Sequence, residues 1–295
     1  MRIQVIANCQ ARPITGLMTR LRPDCKTLEP IILHVAKPEE REAHLAQIAT
    51  ADVIFAQLTQ DEFRPAHLST PALREQFGKK IVVWPNIFFM GQQPYLRYFT
   101  HNKLGRMMGP LEALHDLRLY QSWKSTGRVD PSALEKSDPD FVAFARNTSL
   151  KELQRKEAKC DVVISDFFMS QVEKEPLFYT FNHPKLTVLG EMARRILAHI
   201  GETTTPFLDK EGSLEPLSRY QVPSSWTLDG AEYQGDQFFI DADLGAQRLP
   251  GKPQRYSLEA LCGAYQQVYD AQEAYQTFEG IRLTPSFSID QKMLS

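Results

Sequence analysis

Cys9 stands in Asn8-Cys9-Gln10, where an apolar run from Ile3 to Ala7 gives way to a segment with apolar residues at Ile14, Leu17, Met18 and Leu21. That spacing is one buried face of a helix, and Pro13 suits its first turn. The order is strand, tight turn, helix. A thiol at such a turn meets backbone N–H groups and the positive end of the helix dipole, both of which favour the thiolate and present a nucleophile. A free cysteine otherwise behaves as a small buried apolar group.

Two further segments carry residue types suited to chemistry. Trp84-Pro85-Asn86-Ile87-Phe88-Phe89-Met90-Gly91-Gln92-Gln93-Pro94-Tyr95 leaves a strand with amides, prolines and a glycine among aromatics. Its amides and backbone N–H groups could hold a carbonyl oxygen as negative charge develops on it. The same residues also suit a rigid, hydrogen-bonded loop. Just downstream, Arg97, His101, Lys103 and Arg106 could meet phosphates, or form a solvated charged face. His183 lies in Phe178-Tyr179-Thr180-Phe181-Asn182-His183-Pro184, directly before a second amphipathic pattern (Leu186, Leu189, Ala193, Ile196, Leu197, Ile200). A histidine held at a helix mouth by a following proline has the fixed orientation that a general base needs. A structural or capping histidine fits the same position.

These residues require elements to position them. Strand-like runs at Ile3–Ala7, Pro30–Val35, Asp52–Ala56 and Ile81–Trp84 alternate with helical stretches, among them Glu39–Ala49 and one ending at Phe77. A βαβαβαβ order predicts an α/β fold: a parallel sheet flanked by helices, with ligands beyond the carboxyl ends of the strands. Both the Cys9 turn and the segment after Trp84 fall at that end. The core is expected to span 1–202, with a largely helical insertion at about 104–159 broken near Asp130–Pro139. A C-terminal extension, 203–295, carries a helix near Ser257–Phe278.

Composition narrows the partners. With 34 basic against 36 acidic residues the formal charge is −2, which gives no global case for nucleic acid. No apolar run is long enough to span a membrane, and a cytoplasmic location is expected. Cys9, Cys25, Cys160 and Cys262 show no CxxC spacing, which argues against a zinc site and suits a reducing compartment.

The layout resembles that of the SGNH/GDSL hydrolases, with a nucleophile after the first strand and His183-Pro184 before the last helix; the core would then be SGNH/flavodoxin-like. Cys9 stands where that group has serine. Thr180 lies where an aspartate would precede the histidine, so Asn182, a backbone carbonyl or a distant acid such as Asp161 or Asp166 would orient His183. Together, Asn-Cys-Gln, Pro-Asn-Ile-Phe-Phe-x-Gly-x-x-Pro and Phe-Tyr-Thr-Phe-Asn-His-Pro resemble the WcbI family of polysaccharide-biosynthesis enzymes, over roughly Met1–Ile200. Ala7 replaces a more usual glycine, and Tyr95 a more usual acidic residue.

That resemblance implies an acetyltransferase that binds coenzyme A and acts in capsular or surface polysaccharide biosynthesis. Acetyl-CoA would be the donor and a sugar, nucleotide-sugar or glycan the acceptor. Cys9 and His183 would be catalytic, through an acetyl-Cys9 thioester or by direct transfer. Backbone N–H groups at Cys9 and Gln10, with Asn86 and Gly91, would hold the oxyanion, and Thr180 and Asn182 would help to position His183 or the substrate. Arg12, Arg97, His101, Lys103 and Arg106 would meet the CoA phosphates. The rival readings are an esterase or sugar deacetylase using the same pair, and a non-catalytic CoA- or carbohydrate-binding protein.

Overall fold

The computed structural model describes residues 1–204, 215–224, 232–251, 253–287 and 290. In chain order the first elements are β1 (Arg2–Ala7), α1 (Ala11–Leu21), β2 (Lys26–Thr27), β3 (Ile31–Ile32), α2 (Arg41–Ala49), β4 (Val53–Gln57), α3 (Thr70–Phe77) and β5 (Ile81–Trp84). Then come β6 (Leu96–His101), β7 (Gly105–Arg106), β8 (Leu114–Asp116), α4 (Leu117–Thr126), α5 (Pro139–Glu157), α6 (Ser165–Gln171), β9 (Phe178–Thr180), β10 (His183–Pro184) and α7 (Leu186–His199). The last are β11 (Tyr233–Gly235), β12 (Phe238–Asp241), β13 (Gly245–Arg248), β14 (Gln254–Tyr256), α8 (Leu258–Asp270), α9 (Glu273–Thr277) and β15 (Ile281–Thr284).

The chain divides into two units: 1–89 with 147–178 and 182–217, and 90–146 with 179–181 and 218–295. In the first unit β2 and β3 both pair with β1, which pairs with β4, which pairs with β5, all parallel. The strands alternate between two covered faces. Ile3, Val5, Phe55, Val82 and Trp84 pack with the apolar stripes of α1 and α7, while Ile6, Ile54, Ala56, Ile81 and Val83 face a second cluster that holds Ile48 and Leu73 of α2 and α3. Fully burying each Val, Leu, Ile or Phe side chain among them contributes about 1.5–3 kcal/mol. Gln4, which interrupts the first apolar run, is buried in the sheet with its amide donating to the Glu29 carbonyl and accepting from Gln47.

Two expectations are corrected here. The strand expected over Pro30–Val35 shrinks to Ile31–Ile32, because Leu33–Val35 turn away after the Leu33 N–H donates to the Ala7 carbonyl. The boundary expected near 203 is not where the units divide. In the second unit β15 pairs antiparallel with β6, from Ile281 opposite His101 to Thr284 opposite Tyr98, so the C-terminal residues share a body with 90–146. That unit has its own core of buried aromatics, including Phe99, Tyr120, Tyr265, Tyr269 and Tyr275. Its buried His115 lies between the Met107 carbonyl at 2.9 Å and the Tyr269 hydroxyl at 3.2 Å.

Candidate active site

The Cys9 turn is closed by the side chain before it. Asn8 Oδ1 accepts from the Gln10 N–H at 3.0 Å and the Asn8 carbonyl accepts from the Ala11 N–H at 3.0 Å, an Asx turn that swings the chain from β1 into α1. Cys9 is half-buried at this bend, in no disulfide, and its Sγ lies 3.7 Å from Asn8 Oδ1. Behind it runs a network of amides drawn from three adjacent strand ends. Gln57, at the end of β4, accepts from the Asn8 N–H at 3.1 Å and donates to Gln10 Oε1 at 3.1 Å. Gln10 in turn donates to the Ile87 carbonyl at 3.0 Å, and Asn8 Nδ2 donates to Asn86 Oδ1 at 3.4 Å. Gln10 and Gln57 are buried, so each amide must be satisfied by a neighbour, and the set fixes the turn.

This corrects the part expected of Gln10. Its backbone N–H is engaged by Asn8 and its side chain by Gln57 and Ile87, which makes it a positioning residue. Gln57 was not singled out from the sequence. The signal was present: a lone polar residue at the carboxyl end of an otherwise apolar parallel strand, Val-Ile-Phe-Ala-Gln.

Cys9 opens on a cleft of about 340 Å³. Arg12, Gly16 and Arg20, four residues apart along α1, line it, with Leu186 of α7 and Leu217 also on its walls. The spacing follows from the helix repeat: residues i, i+4 and i+8 share a face, opposite the one that Ile14, Leu17, Met18 and Leu21 bury. A Cβ added at Gly16 would meet no atom within 4 Å, so the glycine keeps the groove open between two cations. Arg12 shares the cleft of Cys9 with Arg20.

His183 opens β10, three residues before Leu186 of that cleft. The Leu186 N–H, at the start of α7, donates to Glu215 at 2.8 Å. Burial lowers the His183 pKa from 6.5 to about 4, which keeps the imidazole neutral near pH 7. Asn182 is half-buried beside it in sequence, and Thr180 is buried in β9. The two distant acids are committed elsewhere. Asp161 accepts from the Val83 N–H at 2.7 Å and from Arg74 at 3.1 Å, completing the edge of β5, and Asp166 takes a two-point contact from Arg195 at 2.5 and 2.8 Å.

The remaining expected residues belong to the second unit. Arg97 is corrected: it is 0% exposed, donates through two nitrogens to Asp290 at 2.7 and 2.9 Å, and gives a third to the Pro94 and Leu96 carbonyls. A guanidinium so enclosed, with four of its five N–H donors engaged by Asp290 and two carbonyls, is sealed from a phosphate in solution; its work is structural. Arg106 is exposed, bonded to Glu112 at 2.7 Å and stacked over Tyr98, while Lys103 is an exposed turn residue whose N–H donates to His101 Nδ1 at 3.3 Å. Gly91 is buried. Among the described residues, no group of three or more His, Cys, Asp or Glu side chains could hold a metal, and no helix is long and apolar enough to cross a membrane.

Fold and site together define an α/β protein that presents a half-buried thiol at the carboxyl edge of a parallel sheet, on the first strand-to-helix turn. The family model described as polysaccharide biosynthesis enzyme WcbI matches residues 2–205, and the chain belongs to that family. The resemblance carried by the three motifs is therefore correct, and the protein is a WcbI-family polysaccharide biosynthesis enzyme. A solved structure of WcbI shares the fold with a TM-score of 0.71 at 18% identity, over 94% of this chain and 92% of the other. It is described as a novel polysaccharide biosynthesis enzyme, in native form without the disulfide bond between coenzyme A and a cysteine of that protein. No curated protein matches the chain.

Proposed function

We propose that this enzyme transfers an acetyl group from acetyl-CoA to a sugar hydroxyl in the cytoplasm, in the making of a capsular or other surface polysaccharide. The observation that carries the reading is the half-buried thiol of Cys9 in a groove flanked by Arg12 and Arg20. The groove's guanidiniums suit the phosphates of coenzyme A, with its pantetheine arm running toward Cys9. The description of the similar structure, as the form without a disulfide bond between coenzyme A and a cysteine, names that cofactor beside a cysteine and supports the same reading. Free cysteines throughout the chain agree with a reducing compartment.

In the covalent route His183 takes the Cys9 proton, and the thiolate attacks the acetyl carbonyl. The C–S bond to CoA breaks, and CoA leaves with that proton. One thioester replaces another at little cost in free energy. The sugar hydroxyl then attacks the acetyl-Cys9 carbonyl, its proton passing through His183 to the departing Cys9 sulfur. In the direct route His183 takes the sugar proton, the oxygen attacks acetyl-CoA itself, and CoA leaves with the proton while Cys9 shapes the groove. A neutral imidazole is the form both routes need. Asn86, whose amide oxygen is held by Asn8, offers its nitrogen to the developing oxyanion.

Calorimetric titration with CoA and acetyl-CoA, followed by intact-mass measurement beside a Cys9→Ala control, tests this. Binding with an acetyl adduct that the control lacks supports the covalent route, and binding with transfer but no adduct supports the direct one. Failure to bind either ligand, with acetate released from an acetylated sugar in water, would replace the transferase by a deacetylase.

A further inference from the structure

Asn8, next in sequence to Cys9, also lines a second and larger cleft, of about 950 Å³, within the first unit. That volume is at the upper end of small-molecule sites. Asn8 and Asn86 bring amides to it from the ends of β1 and β5, and the loop after β4 brings Asp61, Glu62 and the ring of Phe63. These are the groups that sugar hydroxyls and ring faces use: carboxylates and amides to accept and donate, and an aromatic face for stacking.

Another part of the lining is cationic. It is formed by Arg74 of α3, Arg155 and Lys156 in the last turn of α5, and Lys159 just beyond. Arg155 and Lys156 share one carboxylate, Glu152, at 2.7 and 3.9 Å, and Arg74 pairs with Asp161 at 3.1 Å. Four cations against those two carboxylates leave this stretch positive. Lys156 also has its ammonium 5.8 Å from the Phe88 ring centre, and burial lowers its pKa, so a further anion beside it would be welcome. A neutral glycan has no use for such a wall.

We infer that this cleft takes the acceptor, and that the acceptor carries phosphate: a nucleoside-diphosphate-linked sugar or a sugar phosphate, acetylated before it enters the polymer. The sugar lies toward Asn8 and Asn86, next to the Cys9 turn, and the phosphate toward Arg155, Lys156 and Lys159. The word acceptor rests on the transferase reading above; the phosphate-sugar site rests on the cleft alone.

The test is calorimetry on the full chain saturated with CoA. The probes are UDP, GDP and dTDP, then glucose 1-phosphate and mannose 1-phosphate, with methyl glucoside as the neutral control. At least one phosphate probe is expected to bind beside CoA. The Arg155→Ala/Lys159→Ala double variant, both positions being exposed, should weaken it by at least about tenfold and leave CoA affinity unchanged. Binding of the nucleoside diphosphates assigns the nucleotide-linked sugar; binding of the sugar phosphates alone assigns the other source. The inference is overturned if no phosphate probe binds, if the probe competes with CoA, or if the double variant binds it as tightly as the parent. Acetyl transfer that survives without phosphate binding sinks only this inference. Phosphate binding lost in the variant, in a protein that ignores CoA, sinks only the transferase.

Discussion

Cys9 and His183 were both visible as residues because each sits where a strand-like run yields to a helical period, a purely local pattern. Their surroundings were not visible. His183 is held neutral by burial, and the sign of its effect on stability follows. The unfolded chain binds a proton near pH 6.5 and the folded chain only near pH 4, so the contribution is fully present above 6.5 and is lost as the pH falls toward 4. Buried His115, lowered to about 4 as well, acts in the same direction. The expected result in a proton NMR titration is that the His183 Cε1–H signal stays still through pH 6.5 and moves only near pH 4, while urea stability declines across that same interval. A signal titrating near 6.5 would mean a solvated ring and would remove the argument for a base that is neutral by burial.

At the scale of elements, α1 shows how one helix serves packing and chemistry on opposite faces. The apolar positions read from the sequence, Ile14, Leu17, Met18 and Leu21, are the buried ones. Arg12, Gly16 and Arg20 repeat on the exposed side and make the groove beside Cys9. Gly16 is mid-helix with open space around it, so Gly16→Ala should stabilise the protein by about 1 kcal/mol, read as a higher urea midpoint. Gly16→Trp should fold equally well yet bind CoA far more weakly, because its ring fills the groove. A destabilised alanine variant would mean that the glycine is required by the backbone, and CoA binding unchanged by tryptophan would place CoA elsewhere. The stretch expected as a helical insertion at about 104–159 carries β7 and β8 before α4 and α5, and the two units divide within it, at 146/147.

At the scale of the whole molecule, ties between distant parts of the sequence decide which residues are available to a ligand. Arg97 and Asp290, separated by 193 positions, form an ion pair sealed inside the second unit. Removing one partner strands a buried charge, and Asp290→Ala should cost about 3–5 kcal/mol in urea unfolding with CoA affinity unchanged. Reduced CoA affinity in an Asp290→Ala protein of parental stability would return Arg97 to the ligand site. The sequence by itself determined the parallel α/β core, the thiol at the first strand-to-helix turn, the histidine before a later helix and the family, because period, turn chemistry and motif are properties of neighbouring residues. The tertiary structure alone decided that Gln57 locks the Cys9 turn, that Asp161 and Asp166 are spent on Val83 and Arg195, that Arg97 is enclosed while Arg12 and Arg20 are open, and that β15 returns to β6. Each of these depends on burial and on hydrogen bonds between residues dozens to hundreds of positions apart, and no local window of the chain contains both partners.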